Sequence, residues 1–122
     1  DNQHEVQDDD VIILASDGVY DNLFDADVMY CAEPKADSLH LAFDHKRVGD
    51  CLANMALKLG ETEGYRSPFA IGAQAAGRNY PDIGKSDDIA VIVATVHKKK
   101  DKEFDQQIST NAMDTDAKDR KK

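Results

Sequence analysis

Two apolar runs stand out from the chain, Val11-Ile12-Ile13-Leu14-Ala15-Ser16 near the start and Ile89-Ala90-Val91-Ile92-Val93-Ala94-Thr95-Val96 further on. Both are continuous rather than alternating and rich in β-branched residues, which predicts strands covered on both faces. Between them the pattern turns helical. Residues 25–33 predict a short helix with Asp25 as N-cap and Pro34 as its stop. Residues 45–59 give the strongest helical pattern: Val48, Cys51, Leu52, Met55, Ala56 and Leu59 fall on one face, Asp44 is the N-cap and Gly60 stands at the C′ position. Ser67-Pro68 reads as a cap followed by proline at the first helical position, opening a small-residue helix that runs to Gly77. Residues 61–66 and 78–88 read as loops, and 34–43 fit no one element. Asp8-Asp9-Asp10 predicts a turn between a short strand near Glu5-Val6 and the first apolar run. From 98 to 122 apolar residues are sparse, which predicts a disordered charged tail.

The order is strand, three helices, strand, an α+β arrangement. Two core strands with one weak neighbour leave bare sheet edges, a liability for an isolated domain. The physical expectation is therefore a piece of a larger sheet protein. The first residue, Asp1, fits a chain that was processed or is part of something longer.

Charge narrows the function. Against 24 Asp+Glu there are 15 Lys+Arg, a net −9, which argues against a nucleic-acid partner or docking on anionic lipid. The apolar runs fall short of the ~20 residues of a membrane span, and the acidic first ten residues carry no signal-peptide core. Cys31 and Cys51 are too few for a disulfide scaffold, form no CxxC zinc motif, and read as small core residues on helical faces.

Two positions offer chemistry. Asp17 ends the first apolar run at a glycine, and Asp87-Asp88 stands just before the second. Singly, each reads as a turn or cap residue. Together, carboxylates at the ends of adjacent core strands suit a hard cation such as Mg²⁺ or Mn²⁺, which prefers oxygen ligands.

The segment Ile12-Ile13-Leu14-Ala15-Ser16-Asp17-Gly18-Val19-Tyr20-Asp21-Asn22 resembles the Asp-Gly motif of the metal-dependent serine/threonine protein phosphatases, the type 2C family. Gly84-Lys85-Ser86-Asp87-Asp88-Ile89-Ala90-Val91-Ile92-Val93 is similar to that family's closing motif. Tyr65-Arg66-Ser67-Pro68-Phe69-Ala70, and Asp-Asp-Ile in the closing motif, resemble the branch containing the mitochondrial T-cell-activation phosphatase. The resemblance covers roughly residues 3–97.

It implies the C-terminal part of a four-layer α/β/β/α sandwich, incomplete as given, with 1–97 in the phosphatase domain and 98–122 as the tail. In the family two divalent ions, Mn²⁺ or Mg²⁺, activate a water that attacks phosphoserine or phosphothreonine in line, with no phosphoenzyme. Carried over, Asp17 and Asp87 are metal ligands, and Asp88 is the neighbouring candidate that orients the loop, with a swap of roles between Asp87 and Asp88 left open. Gly18 serves the turn. Asp21 caps the next segment and is not expected to bind metal. The family's bridging Asp-Gly pair, an upstream acidic residue and a phosphate-gripping Arg have no counterpart here. The implied partners are a phosphoprotein substrate and the N-terminal half of the same domain, and the chain alone is expected to be inactive. The alternative is a truncated, non-catalytic copy that binds a protein through its sheet edge. The compartment is not fixed by the sequence; an intracellular, mitochondrial location follows only by analogy with the branch.

Other signals fall away. Gly84-Lys85-Ser86 lacks the upstream glycine and following helix of a P-loop. The acids between Asp17 and Asp27 do not fit an EF-hand. His4, His40, His45 and His97 show no ligand spacing.

Overall fold

In the computed structural model, residues 3–34 and 42–99 are described. The expectations for 35–41 and for the tail beyond residue 99 lie outside them. The chain divides into two units, Val11–Thr95 and a second made of 1–10 with 96–122.

The main unit carries β1 (Val11–Ala15), α1 (Asp17–Tyr20), α2 (Asp25–Ala32), α3 (His45–Gly60), α4 (Pro68–Ala75) and β2 (Val91–Thr95). β1 and β2 pair antiparallel, with Ile13 opposite Val93 and Leu14 opposite Ile92. Period-two alternation sends Ile13, Ala15, Val91 and Val93 to the core side, where they pack around Val19, Leu23, Cys31, Val48, Leu52 and Ala56. Ile12, Leu14 and Ile92 point the other way and are 45%, 65% and 61% exposed. The apolar runs thus predict strands correctly but not their two-sided cover: one face packs on helices and the other, equally apolar, is bare.

α3 is the rod against which the rest packs. Val48, Leu52 and Ala56 are buried along one face, with Cys51, Met55 and Leu59 half-buried beside them, as the helical spacing requires. Burial of a leucine such as Leu52 contributes about 1.5–3 kcal/mol. The Asp44 carboxylate accepts from the Arg47 N–H at 3.0 Å, the expected N-cap bond. The Ser67 hydroxyl caps α4 by accepting from the Ala70 N–H at 3.1 Å. α2 starts one residue away from expectation. Phe24 is its N-cap, Asp25 is the first helical residue, and the Asp27 carboxylate reaches back to the Phe24 N–H at 2.8 Å.

Three local readings change. Asp17-Gly18 opens the one-turn helix α1 rather than a bare turn. Gly60 is the last helical residue and not the C′ glycine. Cys31 and Cys51, read as small core residues, are joined in a disulfide with their Cα atoms 5.6 Å apart. The core contact was legible because both face α2–α3 packing; that the two sulfurs meet required the crossing of the helices.

In the second unit the acidic turn forms as expected, with Asp9 at φ 68° and the Asp10 N–H bonded to the Gln7 carbonyl. Asp9 and Asp10 exchange backbone bonds with Val96, each 2.8 Å. No strand forms at Glu5-Val6. Among the described residues no helix is long and apolar enough to cross a membrane.

Candidate metal centre

β1 delivers Asp17 at its C-terminal end, and the loop entering β2 delivers Asp87. Antiparallel pairing puts the end of one strand beside the start of the other, so 70 residues of sequence close into one site. One carboxylate oxygen from each of Asp17, Asp21 and Asp87 lies within 4.8 Å of the others. Asp21, expected only to cap, sits one helical turn beyond Asp17, so the two side chains share a face of α1. That four-residue offset was the signal available in the sequence. The Asp88 carboxylate is outside this group. Its carbonyl instead accepts the Ser16 hydroxyl at 2.9 Å, and its N–H donates to the Asp87 carboxylate at 2.7 Å.

Close backbone approach holds the loop in place. Ser16 and Ala90 exchange two bonds: the Ser16 N–H donates to the Ala90 carbonyl and the Ala90 N–H donates to the Ser16 hydroxyl. A side chain on Gly18 would collide with the Asp88 carbonyl, and one on Gly84 with the Leu59 carbonyl and the Gly60 backbone. These glycines are therefore required by packing of chain on chain rather than by a left-handed turn. Behind them Asn22, 1% exposed, joins α1 to the loop through Lys85. The segment Tyr65–Ala70 closes the other side. The Tyr65 hydroxyl donates to the Asn22 carbonyl at 2.6 Å, the Phe69 N–H to the Asp21 carbonyl at 3.1 Å, and the Ser67 hydroxyl to the Ile83 carbonyl at 2.7 Å.

Three carboxylates this close repel by about 1 kcal/mol per pair at the dielectric of water and about 3–4 kcal/mol at an effective dielectric of 20. Lys85 offsets part of this. Its ammonium is 3.1 Å from Asp21 and 3.8 Å from Asp87, and rests 4.5 Å from the centre of the Phe69 ring. The hydrogen bond to Asp21 holds the Lys85 pKa above its usual 10.5, burial opposes this, and the charges of Asp21, Asp87 and Asp17 add to the rise. Three negative charges less one leave a site that is still anionic and built of hard oxygen donors. That donor set fits Mg²⁺ or Mn²⁺. A second acidic group, Asp8, Asp9 and His97, lies in the other unit and is exposed.

No protein-family model matches the chain. Individual proteins do. A protein phosphatase PTC7 homolog, fig, of Drosophila willistoni is 35% identical over 91 residues, 75% of this chain and 29% of that protein. The probable protein phosphatase 2C 71 of Oryza sativa subsp. japonica is 35% identical over 96 residues, 79% of this chain and 20% of that protein. Among solved structures, the photosystem II phosphatase PBCP matches with a TM-score of 0.63 and 28% identity, over 76% of this chain and 38% of that one. The chain belongs to the protein phosphatases of the 2C type and corresponds to the C-terminal part of their fold. It spans less than a third of the length of the two curated relatives.

Proposed function

We propose that this chain is the part of a Mn²⁺- or Mg²⁺-dependent protein serine/threonine phosphatase that supplies Asp17 and Asp87 to the metal centre, with Asp21 beside them. The observation that carries the reading is the meeting of Asp17 and Asp87 carboxylates from opposite ends of the chain. Divalent ions, when bound, make a water acidic enough to attack phosphorus and offset the charge on the phosphoryl oxygens. The chain's own contribution is placement. Ser16 and Gly18 hold the 87–88 backbone against α1, and the Asp88 N–H fixes one oxygen of Asp87. Asp88 acts by orienting the loop rather than as a ligand.

Three carboxylates at one end of a two-stranded sheet do not enclose two ions, and among the described residues no Arg pairs with these carboxylates in position to grip phosphate. The isolated chain is therefore inactive, and turnover needs the N-terminal half of the same domain, acting on a phosphoprotein. The test is an in-frame fusion to the upstream half of a full-length relative, assayed for Mn²⁺-dependent release of phosphate from a phosphothreonine peptide. The fusion turns over, and the Asp17→Asn and Asp87→Asn fusions and the chain alone do not. Equal turnover by the Asp17→Asn fusion sinks the reading.

A non-catalytic binding module is the second reading, favoured by the bare apolar face of Ile12, Leu14 and Ile92. An inactive fusion together with a cooperative melt of the isolated chain would favour it.

A further inference from the structure

Lys85 is tied at its backbone by the Asn22 amide and held at its tip by ion pairs. Its N–H donates to the Asn22 Oδ1 and its carbonyl accepts from the Asn22 Nδ2, both at 2.7 Å, so the main chain is fixed on both sides of the residue. Its ammonium nevertheless lies among the carboxylates, on the oxygens of Asp21 and Asp87. A divalent ion at this centre needs oxygens of the same two carboxylates. An ammonium and a divalent cation cannot both sit on them without strong mutual repulsion.

We propose that Lys85 is a tethered competitor of the divalent ion: its ammonium offsets part of the negative charge of the centre, and the ion binds by displacing its side chain. The inference rests on the reading of Asp17, Asp21 and Asp87 as a metal centre and adds what regulates its affinity. The structure supplies somewhere for the ammonium to go. The Phe69 ring already touches it, and a groove of about 430 Å³ lined by Tyr20, Asp21, Phe69 and Arg78 opens alongside. A cation over an aromatic face keeps part of its stabilisation, so the exchange is one side-chain rotation with the loop unmoved. Lys85 thereby sets how much free metal the site requires.

The test compares Mn²⁺ affinities of the full chain and of Lys85→Met, Lys85→Gln and Lys85→Arg, read from the electron paramagnetic resonance signal of free Mn²⁺. Removal of a partly exposed ion pair predicts roughly threefold or greater tightening in both neutral variants. Lys85→Arg, which keeps the charge, stays within about twofold of the parent. A nuclear magnetic resonance titration with Mg²⁺ reads the displacement itself, as the Lys85 Nζ resonance moves to the position of a solvent-exposed lysine. Parent chain that binds Mn²⁺, loses it in Asp17→Asn, and binds no more tightly in either neutral variant overturns the competitor role while leaving the metal centre intact. Absence of saturable binding in parent and neutral variants alike overturns the metal centre and the competitor role with it.

Discussion

The side-chain amide of Asn22 is bonded at both ends by the backbone of Lys85: its Oδ1 accepts the Lys85 N–H and its Nδ2 donates to the Lys85 carbonyl. The same Nδ2 also donates to the Gly18 carbonyl at 2.9 Å. One buried amide thus imitates a strand partner and joins the two acid-bearing segments. Truncation to alanine strands buried backbone groups. Asn22→Ala is expected to cost about 3 kcal/mol, measured by urea unfolding. A cost below about 1 kcal/mol would mean that the loop is held elsewhere.

Gly18 gives a sharper test of the same join. Gly18→Ala pushes a methyl group into the Asp88 carbonyl. Relief requires the 87–88 backbone to move away from α1. The variant is expected to lose about 1–3 kcal/mol of stability and to bind Mn²⁺ more weakly than the parent, even though no carboxylate has been removed. Unchanged affinity would show that Asp87 does not depend on this approach.

The Cys31–Cys51 disulfide spans a sequence separation of 20 and ties α2 to α3. Loop-closure entropy for a ring of this size gives about 3 kcal/mol of stabilisation. Reduction should lower the melting temperature by on the order of 10 °C or more in a unit of this size. Thermal melts with and without reductant, with intact mass before and after thiol alkylation, check both the bond and its effect.

The two faces of the sheet should respond oppositely to substitution. Leu52→Ala, in the core, is expected to cost about 2–5 kcal/mol. Leu14→Thr and Ile92→Thr, on the bare face, should each change stability by less than about 0.5 kcal/mol. Both should also raise solubility, because an exposed apolar strand face invites association. Large losses at Leu14 would mean that this face is covered in solution.

Tyr65 gives the chain an alkaline limit. Burial pushes its phenol above the usual 10.0, and the charge of Asp27 adds to the rise. The folded state then holds the proton more tightly than the unfolded chain. Stability is fully present below the unfolded pKa and falls as pH climbs from about 10 through the folded value. Tyr65→Phe removes the hydrogen bond to Asn22, costing about 1 kcal/mol at neutral pH, and flattens the alkaline decline. Urea midpoints at pH 8, 9, 10 and 11 separate the two effects.

The strands, three of the four helices and the caps at Asp44 and Ser67 were legible because hydrophobic period and cap chemistry are local. That Asp17 and Asp87 meet was legible from the adjacent strand ends they flank. Four features were not, and each is a property of chain meeting chain. Gly18 reads as a turn residue and Gly84 as part of a loop, because their tight neighbours are some 70 and 25 residues away. Asn22 reads as an ordinary polar residue until the loop it clasps is in place. The apolar runs promised cover on two faces because sequence records what a strand must bury, not which segment buries it. Lys85 looked like part of a failed phosphate loop; only the folded arrangement sets its charge against three carboxylates.

We propose Asp17, Asp21 and Asp87 as one cation site. Paramagnetic broadening of backbone amide signals by substoichiometric Mn²⁺ tests it most directly. Signals from residues 17–22 and 84–88 should vanish first and be spared in Asp17→Asn. Loss confined to the exposed group of Asp8, Asp9 and His97, or uniform weak broadening across the chain, would contradict it.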